Sequence, residues 1–254
     1  MKEKAAQETL AVLIARRPEK SLPLGDIRQD LFPSSAVDAY AIQDHIVSRR
    51  KEGVGAWKVG ASAEGEQPRC SPITQDCLHA SPATLSQAQF SHSGIELEIA
   101  FRMKRSFSKN DIPEDDNEIL ASISSMAAAI EIVSSRFVEW PDVPKLIQLA
   151  DLLNNGALIV GEFVPYDSNY PFRSPLGALF VDENQVSRDE LINTAGDPRS
   201  LLPWLIRHSV DRGGEVTPDT IITTGTYVGM HFPRRPSCIL GCLAALPSVK
   251  LTLA

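Results

Sequence analysis

The stretch Gly94-Ile95-Glu96-Leu97-Glu98-Ile99-Ala100-Phe101 constrains this chain more than any other, because two glutamates interrupt an otherwise apolar run. Side chains in a strand alternate between two faces with a period of two. Ile95, Leu97 and Ile99 therefore share one face, and Glu96 and Glu98 point together from the other. Like charges so placed on a half-buried strand repel, and a buried carboxylate without a partner is expensive. An edge strand with a solvated acidic face is one resolution. A divalent cation is the other, since hard cations such as Mg2+, Mn2+ or Ca2+ take oxygen ligands.

A second run, Met126-Ala127-Ala128-Ala129-Ile130-Glu131-Ile132-Val133, holds a single acid, Glu131. Its composition predicts a buried element: a helix ending near Met126, followed by a strand. A lone glutamate there needs a cation or several donors to stay ionised. Arg136, just beyond the run, offers one partner, and a metal shared with Glu96 and Glu98 offers another. Three carboxylates from two strands, with the remaining positions left to water and substrate, suit an octahedral Mg2+ site.

The chain has 254 residues, enough for one large domain or a main domain with a small appendage, and its 43% hydrophobic content allows a sizeable core. A net charge of −7 disfavours nucleic acid as a partner. Cys70, Cys77, Cys238 and Cys242 do not have zinc-ribbon spacing and read as reduced thiols. None of the five histidines sits in a metalloprotease pattern, and no nucleophile elbow, phosphate loop or dinucleotide fingerprint is present. The opening residues lead into an amphipathic helix without a signal-peptide core, and no apolar run reaches transmembrane length, so a cytoplasmic location without a membrane partner is expected.

Residues 3–17 read as a helix ended by Pro18, and Val37 to about Lys51 as a second one, capped by Ser34 or Ser35 and closed at Gly53. They define a helical N-terminal region, 1–54, before a β-rich catalytic domain, 55–254. Short apolar runs recur at 56–60, 95–103, 128–133, 156–164, 176–181, 220–224 and 238–243, with helical patterns at about 114–126, 144–153 and 198–212. Strict βα alternation is absent, so the expected class is α+β, a β-rich core closed on itself and decorated by helices. Segment 61–92, polar and without periodicity, is expected to be a long functional loop such as a lid.

Lys58 lies inside the strand-like Ala56-Trp57-Lys58-Val59-Gly60, where it either snorkels or sits near an anion. Asn154-Asn155-Gly156 suits a left-handed helix end but leaves Asp151 unexplained. Thr224-Gly225-Thr226 follows a β-branched strand and offers hydroxyls and backbone N–H groups that can hold a carboxylate.

Taken in order, Asp38 to Gln43, Gly55 to Gly60, Ile95 to Phe101, Ile130 to Val133, Ser135-Arg136-Phe137, Ala150-Asp151 to Gly156 and Thr224-Gly225-Thr226 resemble the 2-oxopent-4-enoate hydratase / 4-oxalocrotonate decarboxylase group of the fumarylacetoacetate hydrolase superfamily. The resemblance implies a mixed β-barrel or β-roll core and a homo-oligomer, with a related pathway enzyme as the one further protein partner. It implies Mg2+ or Mn2+ on Glu96, Glu98 and Glu131, with Lys58, Arg136 and Asp151 as catalytic candidates. Asn155, Thr224, Gly225 and Thr226 become candidate contacts to a small 2-oxo acid substrate. The chain departs from the family in having Ser134 where members commonly carry an acid, and in lacking their Gly-containing stretch within 68–78. It also lacks the His/Glu pair that the hydrolase branch carries between 61 and 70, which argues against C–C hydrolysis. The implied activity is metal-dependent hydration of 2-hydroxypenta-2,4-dienoate in aromatic-compound catabolism. A 2-oxo acid decarboxylase, or a non-catalytic subunit of such a complex, is the alternative.

Overall fold

The computed structural model describes residues 2–15, 22–50, 52–188, 190–234 and 236–254. The chain opens with α1 (Lys2–Ala15), and the expected stop at Pro18 lies outside the described residues. Helix α2 (Ala36–Arg49) starts at Ser35, whose hydroxyl accepts from the Asp38 N–H while the Asp38 carboxylate accepts from the Ser35 N–H. This reciprocal cap satisfies two N–H groups that a helix start otherwise leaves orphaned. The expected end at Lys51 also lies outside the described residues.

Four strands follow: β1 (Val54–Gly60), β2 (Arg69–Thr74), β3 (Leu78–Ala80) and β4 (Ala83–Leu85). The long loop expected over 61–92 is thus broken by three strands, and 61–68 and 86–93 remain as shorter connections on either side of them. Next come β5 (Gly94–Met103), α3 (Asp116–Leu120) and β6 (Ile123–Val133). Met126 lies inside β6 rather than at a helix end, because the alanines pair with β5 throughout. Then α4 (Lys145–Ala150) leads through a 3-10 turn, Leu152–Asn154, into β7 (Asn155–Val160). The remaining elements are β8 (Val164–Pro165), β9 (Gly177–Val181), β10 (Asn184–Gln185), α5 (Leu201–Asp211), β11 (Ile221–Thr223), β12 (Ser237–Leu243) and β13 (Val249–Leu253). Among the described residues no helix is long and apolar enough to cross a membrane.

The main sheet is mixed and runs β2-β1-β11-β5-β6-β7-β3, with β8 also on β6. Its edge strands β2 and β3 are joined by only the 3-10 turn Gln75–Cys77. Laid flat, six strand spacings would part those edges by about 29 Å, whereas so short a link reaches about 14 Å at most. The sheet must therefore curl toward closure, as the expected barrel requires.

Alternation sorts the curled sheet into two faces. Leu97 and Ile99 on β5 and Ile130 on β6 pack outward in the main core. The second sheet, β10-β9-β12-β13-β4, covers this face. Its approach is close: a Cβ on Gly241 of β12 would stand 2.6 Å from Leu97 Cδ1. The other face holds Ala56, Ala100, Ala127 and Ala129, a small-residue filling. Lys58, Glu96, Glu98, Glu131 and Thr223 share the parity of those alanines. The same alternation therefore points a polar cluster into the curled sheet.

Candidate metal centre and its cavity

Register brings the acids together. Glu96 on β5 stands opposite Glu131 on β6, with Glu98 two residues further along the same face. One ligand oxygen from each lies within 4.8 Å of the others. Glu98 and Glu131 are buried and Glu96 half-buried. Burial first, and then the neighbouring Glu98 and Glu131 charges, push the Glu96 carboxyl up to about 8. Burial, with Glu131 next, pushes Glu98 up to about 7, although Lys58 and the Thr223 hydroxyl act against the rise. Glu131 Oε2 is buried without a hydrogen-bond partner. Three crowded carboxylates and an orphaned oxygen fit a hard divalent cation, which takes oxygen ligands and relieves the repulsion.

Two of the acids, Glu131 and Glu98, are held from behind. Lys58 Nζ on β1 donates to Glu131 Oε1 at 2.6 Å and to the Leu153 carbonyl at 3.2 Å. Asn155 Nδ2 donates to the same Glu131 oxygen at 2.8 Å. Burial lowers the Lys58 pKa, but Glu131, Glu96 and Glu98 together outweigh it, so the ammonium is kept charged. Arg136 does not pair with Glu131, the partnership its sequence position allowed. Glu98 Oε2 accepts from the Thr223 hydroxyl and, at 3.0 Å, from the Gly225 N–H. Gly225 has φ +83°, a left-handed conformation that glycine adopts without steric cost.

The Leu153 carbonyl owes its position to backbone strain. Leu152, Leu153 and Asn154 have φ of 53°, 49° and 58°, where a non-glycine residue costs about 1–2 kcal/mol. The left-handed residues expected at Asn154-Asn155-Gly156 thus begin two positions earlier. Strained backbone of this kind concentrates at functional sites.

A cavity of about 550 Å3 opens over Lys58, Glu96 and Glu98. Gly225 and Thr226 line it as expected of substrate contacts. Thr224 does not: its buried hydroxyl donates to the Ile99 carbonyl. Asn155 also faces away, toward Glu131. Arg136 and Asp151, expected to be catalytic, lie outside the lining and pair with each other. Asp151 Oδ2 accepts from the Ser135 hydroxyl and the Arg136 N–H, both at 2.9 Å. Burial raises the Asp151 pKa against the Arg136 charge. The pair braces the strained turn rather than facing the cavity.

Several wall residues carried no distinguishing signal in the sequence. Arg69, Lys145, Gln148 and Thr194 supply polar groups, and Trp140 and Met230 supply apolar surface. Ser62, Glu66 and Gln67 contribute the part of the expected loop that does border the site. Asn193, also unmarked, donates from Nδ2 to the carbonyls of Thr224 (3.2 Å) and Gly225 (3.0 Å), and so fixes the turn that holds Glu98.

No protein-family model matches the sequence, and no curated protein does. Solved structures do. The 4-oxalocrotonate decarboxylase from Pseudomonas putida G7, complexed with magnesium and adipate, superposes with a TM-score of 0.83 at 18% identity, covering 98% of this chain and 97% of that one. The fumarylpyruvate hydrolase from Pseudomonas aeruginosa, in complex with Mn2+ and pyruvate, gives 0.55 at 17% identity over 82% of this chain and 94% of that one. The 2-hydroxyhepta-2,4-diene-1,7-dioate isomerase from Mycobacterium marinum gives 0.58 at 14% identity over 80% and 76%. The chain has the fold of the fumarylacetoacetate hydrolase superfamily.

Proposed function

We propose that this protein is a divalent-metal-dependent lyase that decarboxylates a 2-oxo dicarboxylic acid of the 4-oxalocrotonate type. The observation that carries this reading is one cavity with two chemically distinct parts: Lys58, Glu96 and Glu98 at its floor, with Glu131 paired to Lys58 behind them, and the cations Arg69 and Lys145 on its walls. Glu96, Glu98 and Glu131 would hold Mg2+ or Mn2+. Bound there, the ion supplies Lewis acidity toward the 2-oxo carboxylate end of the substrate.

The chain's own residues supply the rest. Arg69 and Lys145 offer charge to a second carboxylate, which a monoacid dienoate lacks. This moves the preference from hydration, favoured by sequence alone, to decarboxylation. Lys58 holds a proton at Nζ between Glu131 Oε1 and the Leu153 carbonyl, and can deliver it to charge developing on the substrate. Trp140, Val133 and Met230 keep part of the cavity dry. The whole-chain superposition on a decarboxylase of diacids supports the same choice.

The test is the full chain with Mg2+, supplied in turn with 2-oxohex-3-enedioate and 2-hydroxypenta-2,4-dienoate. Release of CO2 from the diacid, lost in Glu98→Gln, is the expected result. Loss of the dienol ultraviolet band from the monoacid without CO2 release from the diacid would assign a hydratase instead. Inactivity on both, with co-purification of a related enzyme, would assign a non-catalytic subunit. A cytoplasmic homo-oligomer accords with this reading, and sizing the purified protein tests the assembly.

A further inference from the structure

A second cavity, of about 220 Å3, lies outside the metal centre, beside β3, the 3-10 turn Gln87–Gln89 and the start of β7. Its lining includes Arg136, Ser134, Ser91 and Gln89. Arg136 is 9% exposed, yet the hydrogen bonds of its guanidinium all leave from Nη1, to the Ser134 carbonyl (3.4 Å) and the Asp151 carbonyl (3.2 Å). Its ion pair with Asp151 Oδ1 is loose, at 3.4 Å, and again uses Nη1. Nε and Nη2 donate to none of the described residues. A guanidinium that is nine-tenths buried with two nitrogens unengaged can take a planar or tetrahedral oxyanion through paired N–H donors. Hydroxyls stand beside it. Ser134 Oγ accepts from the His92 N–H at 3.3 Å and keeps its own proton to donate. Asp76 borders the same cavity, but its carboxylate accepts from the Thr74 hydroxyl and faces Arg50 at 3.9 Å.

We infer that this cavity is a binding site for a small oxyanion, a carboxylate or a phosphate, anchored by Arg136 and separate from the metal centre. Its size admits an anion of a few heavy atoms and excludes a nucleotide. The inference does not depend on the proposed reaction, since none of the metal-centre residues lines this cavity.

Thermal-shift titrations of the full chain with sodium phosphate and with sodium acetate, at ionic strength fixed by NaCl, test it. A saturable stabilisation by either anion is expected, phosphate alone marking a tetrahedral site and acetate a carboxylate site. Ser91→Asp, at an exposed rim position, and Ser134→Asp each place a competing carboxylate in the cavity. Each should weaken apparent affinity by about tenfold or more, equivalent to about 1.4 kcal/mol. Arg69→Gln, in the other cavity, should leave the affinity unchanged. Absence of any saturable shift overturns the inference. So does a shift that Arg69→Gln removes while Ser91→Asp and Ser134→Asp retain it.

Discussion

At Lys58 an ammonium group is directed into the curled sheet with a side chain 14% exposed, against a Glu131 carboxylate that is fully buried. Breaking such a pair by removing one partner leaves an uncompensated charge and costs about 3–5 kcal/mol. Lys58→Met should therefore destabilise the metal-free protein by about that amount in urea unfolding. The double variant Lys58→Met/Glu131→Leu should recover most of the loss, because the stranded charge is gone. A double variant as unstable as the single one would mean that packing, not charge, sets the cost. The acids of this site were readable at the residue scale, since a carboxylate inside an apolar strand stands out. Arg69 and Lys145 were not, because a cation in a polar segment reads the same whether it faces solvent or a cavity.

Among elements, β11 and the turn after it illustrate how one segment positions another. Thr223 and Gly225 hold Glu98, and Asn193 holds the carbonyls of that turn from a distant loop. Groups that orient metal ligands affect affinity about 10–100-fold when removed. Asn193→Ala should weaken Mn2+ binding within that range, measured by isothermal titration, while the far-ultraviolet spectrum stays unchanged. Asn193→Asp should weaken it too, since an ionised carboxylate cannot donate to two carbonyls. The elements that sequence misjudged are the ones local signals serve worst. Ala127 to Ala129 favour helix on their own, but ten residues of pairing with β5 hold them as strand. The strands β3 and β4 are three residues each, too short to show a period, and exist only because β7 and β13 pair with them.

Across the whole molecule, α5 ties the N-terminal helices to the barrel. His208 packs between Tyr40, at 4.5 Å, and Trp204, at 4.6 Å between ring centroids. Arg212 reaches the Tyr40 carbonyl and the Asp44 carboxylate. Burial, and then the Arg212 charge, push the His208 pKa down to about 4, with Asp211 acting weakly in the other direction. The unfolded chain binds this proton near pH 6.5 and the folded one does not until about 4. This contribution to stability is therefore intact above about 6.5 and is lost as pH falls through the window between. The melting-temperature advantage of the parent over His208→Gln should therefore shrink as pH falls across that window, whatever the raised Glu96 and Glu98 carboxyls add to both proteins alike. Asp44, whose pKa is raised mainly by burial, acts in the opposite sense but is present in both proteins, so the difference between variant and parent isolates His208.

The sequence by itself determined the polarity of the two central strands, and with it the three carboxylates, because alternation is a local property of an extended chain. It also determined the α+β class and the capped second helix, which rest on local periodicity and on hydrogen bonds a few residues apart. Only the tertiary structure decided which strands exist beside those two, that Lys58 rather than Arg136 faces Glu131, and that Arg136 and Asp151 brace a turn instead of lining the metal cavity. Those outcomes depend on how far the sheet curls and in what register distant segments meet. Contacts between residues 73 or 125 positions apart, such as Lys58 with Glu131 and Thr223 with Glu98, leave no periodic trace in the sequence.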